Sequence, residues 1–187
     1  MKRIIILLFV LLLSACGSSG RKEKEEAAAD PAVLAKMSAP KLVHKDDLFE
    51  MKLNIAKTTF AQDEPIVYST SLTYIGEQDS ITIWGGRTYI GFNISDGKTF
   101  RMEGANTSEL ASTKLAKGVT TEYPFFKSGG FGADDPDAEF WREFYAEKEL
   151  RLPPGNYLIS AFCDFSLDES VVDSRYNGEV YTMITVE

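Results

Sequence analysis

Two antiparallel sheets packed as a sandwich, with one helix inserted, is the all-β fold this sequence predicts, on three observations. Apolar and polar residues alternate through much of residues 46–187, the period-two pattern of half-buried strands. Turn-forming residues interrupt that pattern mostly at intervals of about eight to twelve, the spacing of short sandwich strands. Nowhere do strand and helix patterns alternate as a parallel sheet requires.

The elements follow in chain order. Lys2 and Arg3 precede ten unbroken apolar residues, Ile4 to Leu13. A helix needs roughly 20 to cross a bilayer, so this run reads as the apolar region of a secretory signal. Leu13-Ser14-Ala15-Cys16 resembles the bacterial lipobox. The resemblance implies cleavage before Cys16, acyl chains on its sulfur, and a domain held at a cell membrane on its extracytoplasmic side. Each buried methylene stabilises such an anchor by about 0.8 kcal/mol, so two or three chains suffice. The alternative is an ordinary signal peptide with Cys16 there by chance. The expected organisation is therefore a signal over 1–15, lipidated Cys16 with a flexible linker over 16–45, and the sandwich over 46–187. The linker carries charges of both signs, two prolines and little to bury, a composition of disorder. Within it, residues 21–29 are a candidate transient helix.

"LFEMKLNIAKTTF" places Phe49, Met51, Leu53 and Ile55 on one face of a first strand. In "PIVYSTSLTYI", Ile66, Tyr68, Thr70, Leu72 and Tyr74 share a side. "SITIW" ends at Gly85-Gly86, and "TYIGFNIS" meets "KTFRM" across Ser95-Asp96-Gly97, a hairpin because Gly accepts positive φ. Leu110 to Leu115 is a candidate pairing segment, Lys117-Gly118 a turn, and "VTTEYPFF" a further strand. "LRLPPGNYLISAFCDF" and "GEVYTMITVE" close the chain as two long strands around an acidic loop, Asp164 to Arg175. Such a series favours an immunoglobulin-like sandwich.

Two resemblances bear on the same region. Leu152-Pro153-Pro154-Gly155-Asn156-Tyr157 resembles the turn that opens a late strand in many immunoglobulin-like domains, where the tyrosine hydroxyl ties the turn to the corner before it. "GEQDSITIWGGRTYIGFNISDGKTF" with "LAKGVTTEYPFF" resembles the family built on the Bacillus intracellular proteinase inhibitor domain. That likeness spans Phe49 to Tyr157 and implies the fold. The lipobox and linker depart from the family, so inhibition does not transfer with it.

One segment breaks the β pattern. "ADDPDAEFWREFYAEKEL" offers Asp135 as N-cap, Pro136 at the first helical position, and Asp137 and Glu139 near the positive helix end. Phe140, Trp141, Phe144 and Tyr145 then form one apolar stripe on about 13 residues of helix. A flexible glycine-rich loop, Lys127 to Gly132, precedes it. The helix either closes one end of the sandwich or, with that loop, presents a binding surface of Phe131, Phe140, Trp141 and Tyr145.

The chain has 20 basic and 28 acidic residues. Removing Lys2 and Arg3 leaves 18 against 28, a balance of −10, which disfavours nucleic acid as a partner. Cys163 is the one cysteine left once Cys16 is lipidated, and its strand setting reads as a buried, inert thiol. Catalysis lacks an inventory. The single histidine, His44, falls in the expected linker, which leaves a Ser-His-Asp or Cys-His arrangement without its base. Asp134, Asp135 and Asp137 are the densest acidic group and a weak calcium candidate, because their spacing does not match a calcium loop. No cofactor is expected.

Two functional classes remain. One is a non-catalytic binding module of the cell envelope, with another envelope protein or a cell-wall component as partner. The other is an inhibitor-like domain that blocks an extracytoplasmic protease with an exposed loop, for which Lys127 to Ala133 is the candidate.

Overall fold

The computed structural model describes residues 28–187 apart from 106 and 108. Cys16, the signal region and residues 21–27 lie outside them. Strand makes up 44% of the described residues and helix 11%, so the molecule is an all-β sandwich with two helical additions. In chain order the elements are α1 (Pro31–Ser38), β1 (Val43–Lys45), β2 (Phe49–Ile55), β3 (Thr59–Phe60), β4 (Tyr68–Tyr74), β5 (Ser80–Gly85), β6 (Ile90–Ser95), β7 (Arg101–Met102), β8 (Ala111–Ala116), β9 (Thr120–Pro124), α2 (Ala138–Ala146), β10 (Gly155–Ser166) and β11 (Arg175–Val186).

One sheet runs β1-β2-β4-β9, and the other β3-β11-β10-β5-β8, with β6 beside β10 and β7 beside β6. Every pairing is antiparallel except β3 with β11, which is parallel. β5 and β6 together act as one broken strand along β10. Trp84 pairs with Ser166 and Ile90 with Cys163, so the chain advances six positions while β10 advances three. The surplus bulges at Gly85-Gly86 and lets β5 lean away to pair with β8, as bulges at sheet rims do.

The alternation read from sequence is the alternation of burial. Phe49, Met51 and Leu53 point inward from β2, and Tyr68, Thr70, Leu72 and Tyr74 from β4. They meet Phe92, Ile94, Ile159, Ala161, Val180 and Ile184 of the second sheet. Phe49 lies among Tyr74, Phe165 and Tyr176, at centroid distances of 5.6, 5.3 and 4.7 Å. Each large side chain buried this way stabilises the fold by about 2 kcal/mol.

The corner before β10 forms as the Leu-Pro-Pro-Gly-Asn-Tyr turn leads one to expect. The Tyr157 hydroxyl donates to the Pro153 carbonyl at 2.9 Å, tying the entry of this late strand to the turn ahead of it. By contrast, the Tyr68 hydroxyl is buried and has no partner among the described residues. The two tyrosines should therefore answer opposite ways to the same change. Tyr157→Phe is expected to cost about 1 kcal/mol in urea unfolding, and Tyr68→Phe to be neutral or stabilising.

The amino-terminal part departs from expectation. Residues 30–45, read as linker, are ordered against the sandwich. Asp30 caps α1, accepting from the Ala32 N–H at 2.8 Å, with Pro31 at the first helical position. The Asp30 N–H donates to Gly97 at 2.6 Å, and Lys41 exchanges backbone bonds with Tyr181 at 2.9 and 2.8 Å. β1 then adds to the edge of β2. Composition missed this because the order comes from pairing with distant strands and not from apolar content.

The inserted helix is also shorter than about 13 residues: α2 has nine. The Asp135 carboxylate accepts from the Asp137 N–H at 2.8 Å, and its carbonyl from the Ala138 N–H at 3.0 Å. Asp135 thus heads one tight turn, and regular helix begins only after Asp137.

Candidate functional site

The four aromatics read as a binding surface lie side by side at one end of the sandwich. Phe131 stacks on Tyr145 (6.3 Å, 11° between planes), Tyr145 meets Trp141 (6.1 Å), and Trp141 meets Phe140 (5.2 Å, 73°). Helical spacing puts three of them on one stripe, and the loop before α2 brings the fourth.

The stripe has an inner and an outer edge. Phe144 is 6% exposed, whereas Phe140 is 38% and Phe131 37% exposed. Phe144 anchors the helix: its ring packs on Phe100 at 5.6 Å, and Lys127 Nζ stands over that ring, 4.3 Å from its centroid. The same ammonium donates to the Phe144 and Glu147 carbonyls, at 2.6 and 2.8 Å. It therefore closes the carboxyl end of α2, where a cation is favoured. Burial lowers the Lys127 pKa, and the Glu147 charge partly restores it.

The loop before α2 is held, not free. The Ser128 hydroxyl accepts from the Ala105 N–H at 3.2 Å. Gly129 adopts φ +113°, and a Cβ there would meet the Glu103 carbonyl at 2.5 Å. Only glycine permits that approach.

Two partners of the surface were not legible in sequence. Phe100 comes from the Asp96-Gly97 hairpin, and Tyr157 from the corner before β10. Phe100 contacts Trp141 at 5.2 Å, Phe140 at 6.0 Å and Tyr157 at 5.5 Å. Between these rings lies a concavity of about 240 Å³, lined also by Asp96, Thr99, Asp137 and Pro153. The hairpin rule could have found Phe100, since a turn at Asp96-Gly97 returns the chain beside β6.

A second concavity, of about 230 Å³, lies under α1. Its basic groups are already paired, Lys36 with Glu179 at 2.7 Å and Arg101 with Glu103 at 2.5 Å, and Asp30 caps α1. Among the described residues no three His, Cys, Asp or Glu side chains gather as a metal ion requires. The weak calcium candidate at Asp134, Asp135 and Asp137 is thereby corrected: Asp135 is spent on its own turn.

His44 is not in a linker but on β1. Its Nδ1 is 2.9 Å from Lys41 Nζ, its Nε2 is 3.5 Å from Asp46, and the Tyr176 hydroxyl donates to Asp46 at 2.5 Å. The cluster joins the two sheets at their β1–β11 edge. Cys163 lies nearby on β10, 1% exposed, and burial pushes its thiol up to about 12. That is the protonated, unreactive state at neutral pH.

The β10–β11 hairpin ends in a loop that sequence left as merely acidic. Asp168 accepts from the hydroxyls of Ser166, Ser170 and Ser174. Val171 adopts φ +52°, a strained conformation for a β-branched residue, and Val172 is 81% exposed. Hydrogen bonds, first from Ser170 and then Ser174, hold the Asp168 carboxyl down to about 2, below its ordinary 3.8. The folded value is the lower one, so the loop is favoured above pH 4 and loses that advantage as pH falls through about 2. The Asp168 carboxyl carbon shift should titrate near 2 by NMR; a midpoint near 4 would show the network absent.

No family model matches this chain, and no curated protein matches it in sequence. Among solved structures, Spo0M, a sporulation control protein from Bacillus subtilis, aligns at 13% identity and TM-score 0.38, over 75% of this chain and 49% of its own. A beta-glucosidase from Listeria innocua, solved in complex with glucose, aligns at 14% identity and TM-score 0.27, over 77% and 17%. The chain spans about half the length of Spo0M. The resemblance to the intracellular proteinase inhibitor domain is not shown by these comparisons.

Proposed function

We propose that this protein is a lipid-anchored envelope protein whose sandwich binds a partner through the aromatic end, without catalysis. The anchor is Cys16, on the extracytoplasmic side of the membrane, and the partner is another envelope protein or a cell-wall component. One observation carries the reading. Phe131 and Phe140 present more than a third of their surface to solvent, on a segment that Lys127, Ser128 and Phe144 hold in place. Rigid aromatics that are both exposed and fixed lose little entropy on binding, which is why such residues anchor interfaces.

The test is capture of the lipidated protein from its own cross-linked cells, beside a Phe140→Ser variant with an unchanged melting temperature. A stoichiometric partner that disappears with the variant is expected. A partner retained undiminished would overturn the reading.

The hairpin tip favours a second reading, protease inhibition. An inhibitory loop must protrude from a braced base, and residues 167–174 offer both, beside the glycine-rich Lys127 to Ala133 as the other candidate. Val172 projects from a loop braced by Asp168. Incubation with subtilisin-type proteases tests it. Dose-dependent inhibition abolished by Val172→Asp would support it, and digestion of the loop would exclude it.

A further inference from the structure

The concavity beside α2 has a composition that the concavity under α1 lacks. Four rings line it, Phe100, Phe140, Trp141 and Tyr157, together with the carboxylates of Asp96 and Asp137, and no basic side chain. The rings meet at steep angles: 79° between Phe100 and Phe140, 73° between Phe140 and Trp141, 81° between Phe100 and Tyr157. These are edge-to-face contacts, a favoured aromatic packing, so the rings form a fixed platform around the cleft.

Its two carboxylates differ. One Asp96 oxygen accepts from the N–H groups of Lys98 and Phe100, at 2.7 and 3.0 Å, which fixes the group in the hairpin. Asp137 stands at the N-cap of α2, where a carboxylate normally takes a backbone N–H. It makes no such bond, and no ion pair or side-chain hydrogen bond holds it among the described residues. The concavity under α1 differs because two basic side chains, Lys36 and Arg101, belong to its lining and pair with Glu179 and Glu103.

From these observations we infer that the cleft takes a cationic head group, the lysine or arginine side chain of a partner protein. A cation over aromatic faces is attracted by the ring quadrupoles, by about 0.5–1 kcal/mol where exposed and about 2 or more where desolvated. Asp96 and Asp137 add direct charge complementarity, and the acidic balance of the whole chain draws basic partners toward it. The inference rests on the aromatic end being the binding surface and names what that surface selects.

The probes are N-acetyl-arginine amide and N-acetyl-glutamate amide, titrated into the protein while the indole N–H signals of Trp141 and Trp84 are followed by NMR. The arginine probe should shift Trp141 saturably in the millimolar range and leave Trp84 still, and the glutamate probe should shift neither. Asp137→Asn, at an exposed position, should weaken the arginine probe about threefold or more, and raising the salt should weaken it further. No saturable shift, equal response to both probes, or an unchanged affinity in Asp137→Asn would overturn the proposal. This failure is distinct from failure of the binding reading. A cellular partner lost with Phe140→Ser but kept with Asp137→Asn would leave the surface in place and remove the cation.

Discussion

Phe144→Ala is expected to destabilise the protein by about 4 kcal/mol, lowering its melting temperature by about 10 °C or more. Phe144 is the one residue of α2 that is fully buried, and it fixes the helix by three routes. Its ring packs on Phe100, Trp141 and Tyr145, at 5.6, 5.6 and 5.3 Å. It lies under the Lys127 ammonium. Its carbonyl receives that ammonium. Truncation removes the ring contacts and the cation–π attraction together, and leaves a cavity between helix and hairpin. Phe140→Ser, on the outer edge of the same stripe, should cost about 1 kcal/mol or less, as substitutions away from the core do. Urea unfolding of both variants checks the contrast. Equal effects would mean that the stripe has no inner edge, and that helix and surface are one packed body.

Deleting the chain up to residue 45 should cost nearly as much. A domain starting at Asp46 loses the two Lys41–Tyr181 backbone bonds, the Leu53–Leu42 bond and the Asp30–Gly97 bond. It also loses the β1 ladder on β2. At about 1 kcal/mol net for each hydrogen bond, the four bonds outside the ladder alone account for about 4 kcal/mol. The deletion also bares the edge of β2, an invitation to strand pairing between molecules. Compared with a chain starting at Gly17, the shorter domain should unfold at lower urea and self-associate by sedimentation. Equal stability would mean that residues 30–45 contribute nothing to the fold.

The structured amino-terminal segment also bears on the anchor. Only residues 17–30 separate Cys16 from α1, a span of at most about 50 Å even when fully extended.

Strands were legible where alternation ran for six residues or more. β2 and β4 bury the residues that the pattern assigned inward, because a half-buried strand writes its period into the sequence. β1 has three residues, too few to carry a period, and it exists because β2 has a free edge. Asp-Pro occurs at both helix starts, and the same signal gave two outcomes. Asp30 does cap α1, but charge and proline around it read as linker. Asp135 was read as the cap of α2, yet it turns the chain one step earlier.

The site was half legible. Phe131, Phe140, Trp141 and Tyr145 follow from helical spacing and proximity in sequence, and the structure brings them together. Phe100 and Tyr157 arrive from a hairpin and a corner whose turns the sequence does announce, but only topology places those rings against α2. The Asp137 carboxylate, without a capping hydrogen bond among the described residues, and the positive φ of Val171 are facts of local geometry that no residue type announces.

A photoreactive benzophenone side chain in place of Phe140, and separately in place of Val172, tests the account most directly when irradiated in growing cells. The account predicts a discrete adduct from position 140 and none from position 172. An adduct from position 172 alone would contradict it and move the binding surface to the hairpin tip.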